Sequence, residues 1–376
     1  MIAVLLFVTM QVAPEIVVSG KRLDDAYREC VDRACLPLRD AQVSIAYAEQ
    51  QFRDGAYVKA RKTLAAAVSR NKRYAATAPK PVAAIYEAYA TVALHDGEMD
   101  VYRKAVAGRV GTLRRNLPPT DSAVTAVAFA TGDMWVALHN GEAADSSYRA
   151  VEHRALATGD ATLAMVATLR RVGLANALGY PDKAAILMAE AEARPAAADP
   201  ALRSVLQVVR LRLAARRSDD GQVDRLVREI GRDSSTTPVL VWAPPYEVNA
   251  LAGARAEAQK FGGPDPVAVA TSDPSPIQWA DIGFWIRPDG KTDDVEILRG
   301  SRSTGWASYL LKQISARRYT GSTAVAGDRG VYRIERFTER GTYMTPIGKL
   351  TRIRTGPSQL EVLELTNSDK QATHRR

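Results

Sequence analysis

The stretch from Ala48 to Ala67 restricts the fold of this chain more than any other. It reads Ala48-x3-Phe52-x2-Gly55-x-Tyr57-x2-Ala60-x3-Leu64-x2-Ala67. Apolar residues recur every three or four positions on both sides of Gly55, the period of two amphipathic helices joined by a tight turn. Ala48, Ala60 and Ala67 let the paired helices approach, while Phe52, Tyr57 and Leu64 fill the gaps between them. Further copies follow at Gly97 (with Met99 and Tyr102), Gly141 (with Ala143 and Ala150), Gly179 (with Ala184, Met188 and Ala191) and Gly221 (with Val223, Leu226 and Ile230). The glycines stand 42, 44, 38 and 42 residues apart. Pro79-Lys80-Pro81, Pro118-Pro119 and Asp199-Pro200 fall between the copies, where helix starts are expected.

This pattern resembles the tetratricopeptide repeat. Its period exceeds the ~34 residues of the standard unit, so the helices are longer or the loops wider. The resemblance implies an α-solenoid over residues 39–232, about five helix pairs whose concave groove takes extended peptides or helices. Arg170-Arg171, Arg210, Arg212 and Arg216-Arg217 either line that groove or face solvent.

A different period takes over near the C-terminus. Ile282, Phe284 and Ile286 alternate with Gly283 and Arg287, the signature of a strand with one buried face, and Pro288-Asp289-Gly290 supplies a turn. Val295, Ile297 and Leu298 mark a second strand, and Trp306, Leu310 and Ile314 a helix capped by Ser303 or Thr304. Val331–Phe337 returns to β-rich composition. The β-β-α-β order, the strand ending in Asp-Gly and the Arg317-Arg318-Tyr319 run closing the helix resemble the C-terminal domain of the TonB energy-transducer family. That likeness implies a small α+β domain over residues 279–345, with extra strands and a polar tail over 346–376. It also implies that Val331–Phe337 is an acceptor edge for an added strand, contacted through Tyr332, Arg333, Ile334 and Arg336. The intervening residues 233–278 are a Pro-rich linker, in which Val239–Trp242 has strand composition. A TonB-type transducer would carry a longer Pro-rich spacer and a membrane-spanning anchor, and this chain departs from the family on both counts.

The N-terminus reads as an export signal over residues 1–13. Ile2–Met10 is apolar but for Thr9, about half of the ~20 residues that cross a bilayer. A buried strand is the alternative. Residues 14–38 then hold two short motifs. Ile16, Val17 and Val18, bounded by Pro14 and Gly20, form a committed extended segment. It is similar to the TonB box, the receptor peptide that adds as a strand to a TonB domain, and it also reads as a plain linker. Cys30 and Cys35 are the only cysteines. After an export signal they read as a disulfide, with a turn required between them because five helical residues put the two side chains on different faces. Two thiols without a nearby His are too few for a closed zinc shell.

Composition sets the remaining bounds. Hydrophobic residues at 46% and charged residues at 25% suit globular domains, and 376 residues suit more than one. The net charge is +9. Residues 281–376 contribute +6 of it, from 17 Lys/Arg against 11 Asp/Glu. His95, His139, His153 and His374 are scattered, away from metal-ligand spacing. Gly300–Gly305 has the glycine spacing of a phosphate loop, but Trp306-Ala307 follows where Lys-Ser/Thr is needed. The expectation is an exported, periplasmic, non-catalytic adaptor, membrane-anchored if the signal is retained, that needs no cofactor, metal or small-molecule substrate. Its partners would be outer-membrane receptors or other envelope proteins. The alternatives are a repeat scaffold merely capped by the TonB-like domain and, if the chain is not exported, a basic nucleic-acid binder.

Overall fold

The computed structural model describes residues 23–215, 238–244, 277–302, 304–321, 329–344 and 353–366. The expected export signal, the Ile16–Val18 segment, Gly221 with its helix pair, Arg216-Arg217 and most of the linker lie outside these residues.

A helical array is followed by a small sheet domain. The helices are α1 (Leu23–Arg33), α2 (Pro37–Arg53), α3 (Tyr57–Asn71), α4 (Pro79–His95), α5 (Met99–Asn116), α6 (Ser122–Ala126), α7 (Ala130–Ala137), α8 (Gly141–Ala157), α9 (Ala161–Ala177), α10 (Pro181–Glu192) and α11 (Pro200–Ala215). Pro37, Pro79, Pro181 and Pro200 each stand at a helix start, where the missing N–H costs nothing. The pairs α2/α3, α4/α5 and α9/α10 turn at Gly55, Gly97 and Gly179, all with φ near +80°. The third pair differs from the pattern read in the sequence. Its left-handed residue is His139 (φ 56°), and Gly141 is the first residue of α8. The absent Cβ of Gly141 instead lets Leu178 of the next pair close in.

Buried Ala60, Ala67, Ala93, Ala144, Ala164 and Ala191 lie where helices meet, and Phe52, Tyr57 and Leu64 are buried among them. The pairs are also joined by ions. Arg171 bridges Asp145 and Glu152, Lys183 reaches Asp145 at 3.1 Å, and Arg194 pairs with Glu152. Arg171 is therefore neither a groove cation nor a solvated one. It pins α8 to α9 from inside.

Helix α1 ends in a Schellman-type cap. Ala34 takes φ 51°, and the Cys35 N–H donates to the Cys30 carbonyl at 3.2 Å. The Cys30–Cys35 disulfide, with Cα atoms 4.8 Å apart, spans this cap and turns its usual apolar contact into a covalent one. The turn demanded by the spacing is thus made by Ala34. Pro37 is the first residue of α2.

The sheet domain has four antiparallel strands in the order β3-β2-β5-β6: β2 (Gln278–Ile286), β3 (Thr292–Gly300), β5 (Val331–Met344) and β6 (Ile353–Glu364). Helix α12 (Ser308–Ser315) covers one face, where Leu310 and Ile314 pack on Ile282, Phe284, Ile286 and Phe337. A side ladder joins β1 (Leu240–Trp242) to β4 (Arg318–Tyr319). Strand β5 is interior, paired with β2 on one side and, from Glu335 to Met344, with β6 on the other. The expectation that Val331–Phe337 is an open acceptor edge is corrected for Glu335–Phe337, which β6 pairs, and for Ile334, whose carbonyl accepts from the Leu365 N–H. Replacing both Cys30 and Cys35 by Ser is expected to cost about 2 kcal/mol, the loop-closure value for so short a ring, as a lower thermal midpoint.

Candidate functional site

The second face of the sheet rests on the turns of the helical array, and the period of two decides which side chains meet it. Along β5, Phe337 points to α12 while Arg336, Thr338 and Arg340 point to the helices. Arg336 is completely buried. Its guanidinium holds the Asp281 carboxylate through Nε at 2.5 Å and Nη2 at 2.8 Å. It also donates to the carbonyls of Phe52 and Arg53, the last residues of α2, at 2.5 and 2.8 Å. The Phe52 carbonyl also accepts from the Gly55 N–H at 2.9 Å, and both carbonyls sit at the negative end of the helix, where a cation is favoured. The Trp279 ring stacks on the same guanidinium at 3.9 Å. Gly55 makes room for this indole: a Cβ there would collide with Trp279.

Two polar residues complete the seam. Thr338 Oγ1 lies 2.8 Å from His95 Nδ1 and 3.2 Å from the Tyr57 hydroxyl. Burial, with Arg336 and Arg340 nearby, lowers the His95 pKa from 6.5 to about 3, so the ring is neutral. Arg340 lies against Gly97 and pairs with Glu361 of β6 at 2.8 Å. At the last of the described helices, Arg212 of α11 donates to the Leu240 carbonyl of β1 at 2.7 Å.

Beside the seam a groove of about 400 Å³ opens between α2, α4 and the end of β6. Ile45, Ala48, Phe52, Ala88 and Val92 form its floor, and Leu363 and Leu365 close one wall. Glu49, Glu87 and Glu364 line it against a single cation, Arg53. Strand β6 is the last in its sheet, so the edge turned away from β5 has no strand partner among the described residues.

Of the four residues expected to accept a strand, Arg336 lies in the seam and Arg333 bonds the Pro238 carbonyl at 2.8 Å. Tyr332 packs its ring against Trp285 at 5.1 Å, and the Ile334 carbonyl accepts from Leu365 N–H at 2.8 Å. They do not form one surface. The seam partners Asp281, Thr338, His95 and Trp279 were missed. Their signal lay in β5 itself, where Arg336, Thr338 and Arg340 occupy the alternate positions of a strand flanked by strand-forming sequence on both sides. Among the described residues no group of three or more His, Cys, Asp or Glu is placed to hold a metal ion, and no helix is long and apolar enough to cross a membrane.

No protein-family model matches the chain, and no curated protein does. Solved structures similar to it include BtubC (BKLC) from P. vanneervenii, at 15% identity and a TM-score of 0.41, covering 56% of this chain and 85% of that one. Another is a putative kinesin light chain from Podosopora anserina with nearly identical TPR-like repeats, at 14% identity and a TM-score of 0.38 over 52% of this chain and 94% of that one.

Replacing Arg336 by Met is expected to cost about 3–5 kcal/mol, since Asp281 and two helix-end carbonyls lose their shared partner, read as a lower urea midpoint. The neutral His95 sets a pH dependence. Its pKa is depressed on folding, so stability is full above the unfolded value of 6.5 and falls as pH drops toward about 3. The slope approaches about 1.4 kcal/mol per pH unit. Denaturation between pH 7 and 4 should show it, and His95→Gln should flatten it.

Proposed function

We propose that the protein is a non-catalytic scaffold that binds a partner protein in the groove between α2, α4 and β6. The observation that carries this reading is the pairing, in one concavity, of an apolar floor with a strand edge that has no strand partner among the described residues. An extended segment laid along β6 would gain backbone hydrogen bonds from the edge and side-chain burial from Ile45, Ala88 and Val92. Glu87 and Glu364 on the groove rim are already paired with Arg109 and Arg333, so the apolar floor and the strand edge, more than charge, would select the segment. The helix pairs supply the concave wall, as a tetratricopeptide-like array does. The sheet domain, TonB-like in element order, supplies the strand edge, so the site belongs to both units.

A non-catalytic role is supported by how the buried ionisable groups are used. Asp40 is held by Arg70 and Asn71, Asp281 by Arg299 and Arg336, and Glu335 by Arg317. Each serves packing. The disulfide supports residence in an oxidising compartment, which for a chain with an export-type N-terminus is the periplasm. Affinity capture from an envelope fraction tests the reading. Ala88→Glu, which places a charge on the groove floor, is expected to release the main partner while leaving the circular-dichroism spectrum and thermal midpoint near wild type. Retention of every partner by this variant would overturn the reading.

A further inference from the structure

Arg340 is the least well served of the three side chains that β5 sends into the seam. We infer that Met99, whose sulfur lies against it, is an oxidation site: its sulfoxide binds the Arg340 guanidinium more tightly than the thioether does, so peroxide fastens β5 and β6 to the helical array. The inference concerns how the wall of the groove is held and stands whatever the groove binds.

Three observations point to this methionine. The first is a donor without an acceptor. Arg340 is 4% exposed, yet its Nε has no hydrogen-bond partner among the described residues. Its Nη2 donates to Glu361 Oε1 at 2.8 Å and to Met99 Sδ at 3.7 Å. A thioether sulfur is a weak acceptor, so one carboxylate does nearly all the work of stabilising a buried cation. Burial holds the Arg340 pKa below its ordinary value in spite of Glu361. Arg336, on the same face of β5, donates four hydrogen bonds by contrast.

The second observation is position. Met99 is the first residue of α5, just past the Gly97 turn, and a Cβ on Gly97 would stand 3.3 Å from Arg340 Cδ. The sulfur and the guanidinium therefore belong to different units, and a stronger bond between them ties the sheet to the helices. The third is access. Met134, Met165 and Met188 are buried, whereas Met99 is half-buried. An oxidant reaches this sulfur without opening a core, and a side chain open to solvent on one side has room for one more atom.

The step is a two-electron oxidation. A sulfur lone pair attacks one oxygen of hydrogen peroxide, the O–O bond breaks, and the leaving hydroxide takes up a proton as water. Methionine oxidation usually disrupts apolar packing, but here the sulfur faces a cation. The sulfoxide oxygen carries partial negative charge, so its bond to the guanidinium is charge-assisted. Enzymatic reduction at the expense of a dithiol removes the oxygen as water, leaves a disulfide on the reductant and resets the seam.

Hydrogen-exchange mass spectrometry on the full chain, before and after limited treatment with hydrogen peroxide, tests the inference. Peptide mapping is expected to find Met99 oxidised ahead of Met134, Met165 and Met188. Once Met99 is oxidised, the amides of Gln359–Glu364 should exchange about tenfold more slowly. Met99→Leu should cancel that slowing, and Met99→Gln, which supplies an oxygen acceptor without oxidant, should reproduce it. In Arg340→Met, oxidation of Met99 should leave the exchange of β6 unchanged; if this variant does not fold, the two Met99 variants decide alone. Unchanged or faster exchange in the oxidised wild type would overturn the inference. So would slowing that persists in Met99→Leu or Arg340→Met, or oxidation of the buried methionines before Met99.

Discussion

The buried Arg336 guanidinium is the interaction on which the arrangement of the two units depends. It belongs to the sheet through Asp281 and to the helices through the last two carbonyls of α2, so neither unit alone satisfies it. Burying an unpaired cation is prohibitive, whereas one whose donors are nearly all used is tolerable. Four donated hydrogen bonds and the Trp279 ring provide that environment here. A register slip of one residue along β5 would swing Arg336 into the apolar α12 layer and Phe337 onto the helix turns. The same ion therefore fixes strand register and unit orientation.

The helices were legible in the sequence because their packing rules are local. Alanines at close contacts, prolines at helix starts and glycines at turns declare themselves within a few residues. The third pair was misplaced by two positions because His139, a residue without special backbone freedom, takes the left-handed turn. The disulfide was legible for the same local reason, since a spacing of five suits the capped end of a helix. The seam was not. Arg336 and Phe52 are 284 residues apart, and no short-range pattern links a strand arginine to a helix end so distant in the chain. Gly55 shows the limit well: its turn role is readable, but its second role, clearance for Trp279, exists only once the sheet is docked. The acceptor strand was misjudged because the extra strand expected after residue 346 carries no local signal of which strand it joins, and it joins β5 from Glu335 onward.

The candidate site follows from the docking. The concave side of the array and the end of β6 are separately unremarkable surfaces, one apolar and shallow, the other a short strand edge. Arg340, held between Gly97 and Glu361, sets β6 against α4 and turns the two into one concavity. A ligand there reads side chains from the helices and backbone from the strand, which is a more demanding combination than either surface could impose alone.

Contacts with two separate parts of the described array have a mechanical consequence. An open stack of helix pairs bends and unwinds like a spring, because each pair touches only its neighbours. Here the sheet domain sits on the turns at Gly55 and Gly97 and, through Leu240, on α11 as well. It acts as a strap between separate helix pairs, so a rotation of α2–α5 against α11 has to break these contacts or carry the folded β unit with it.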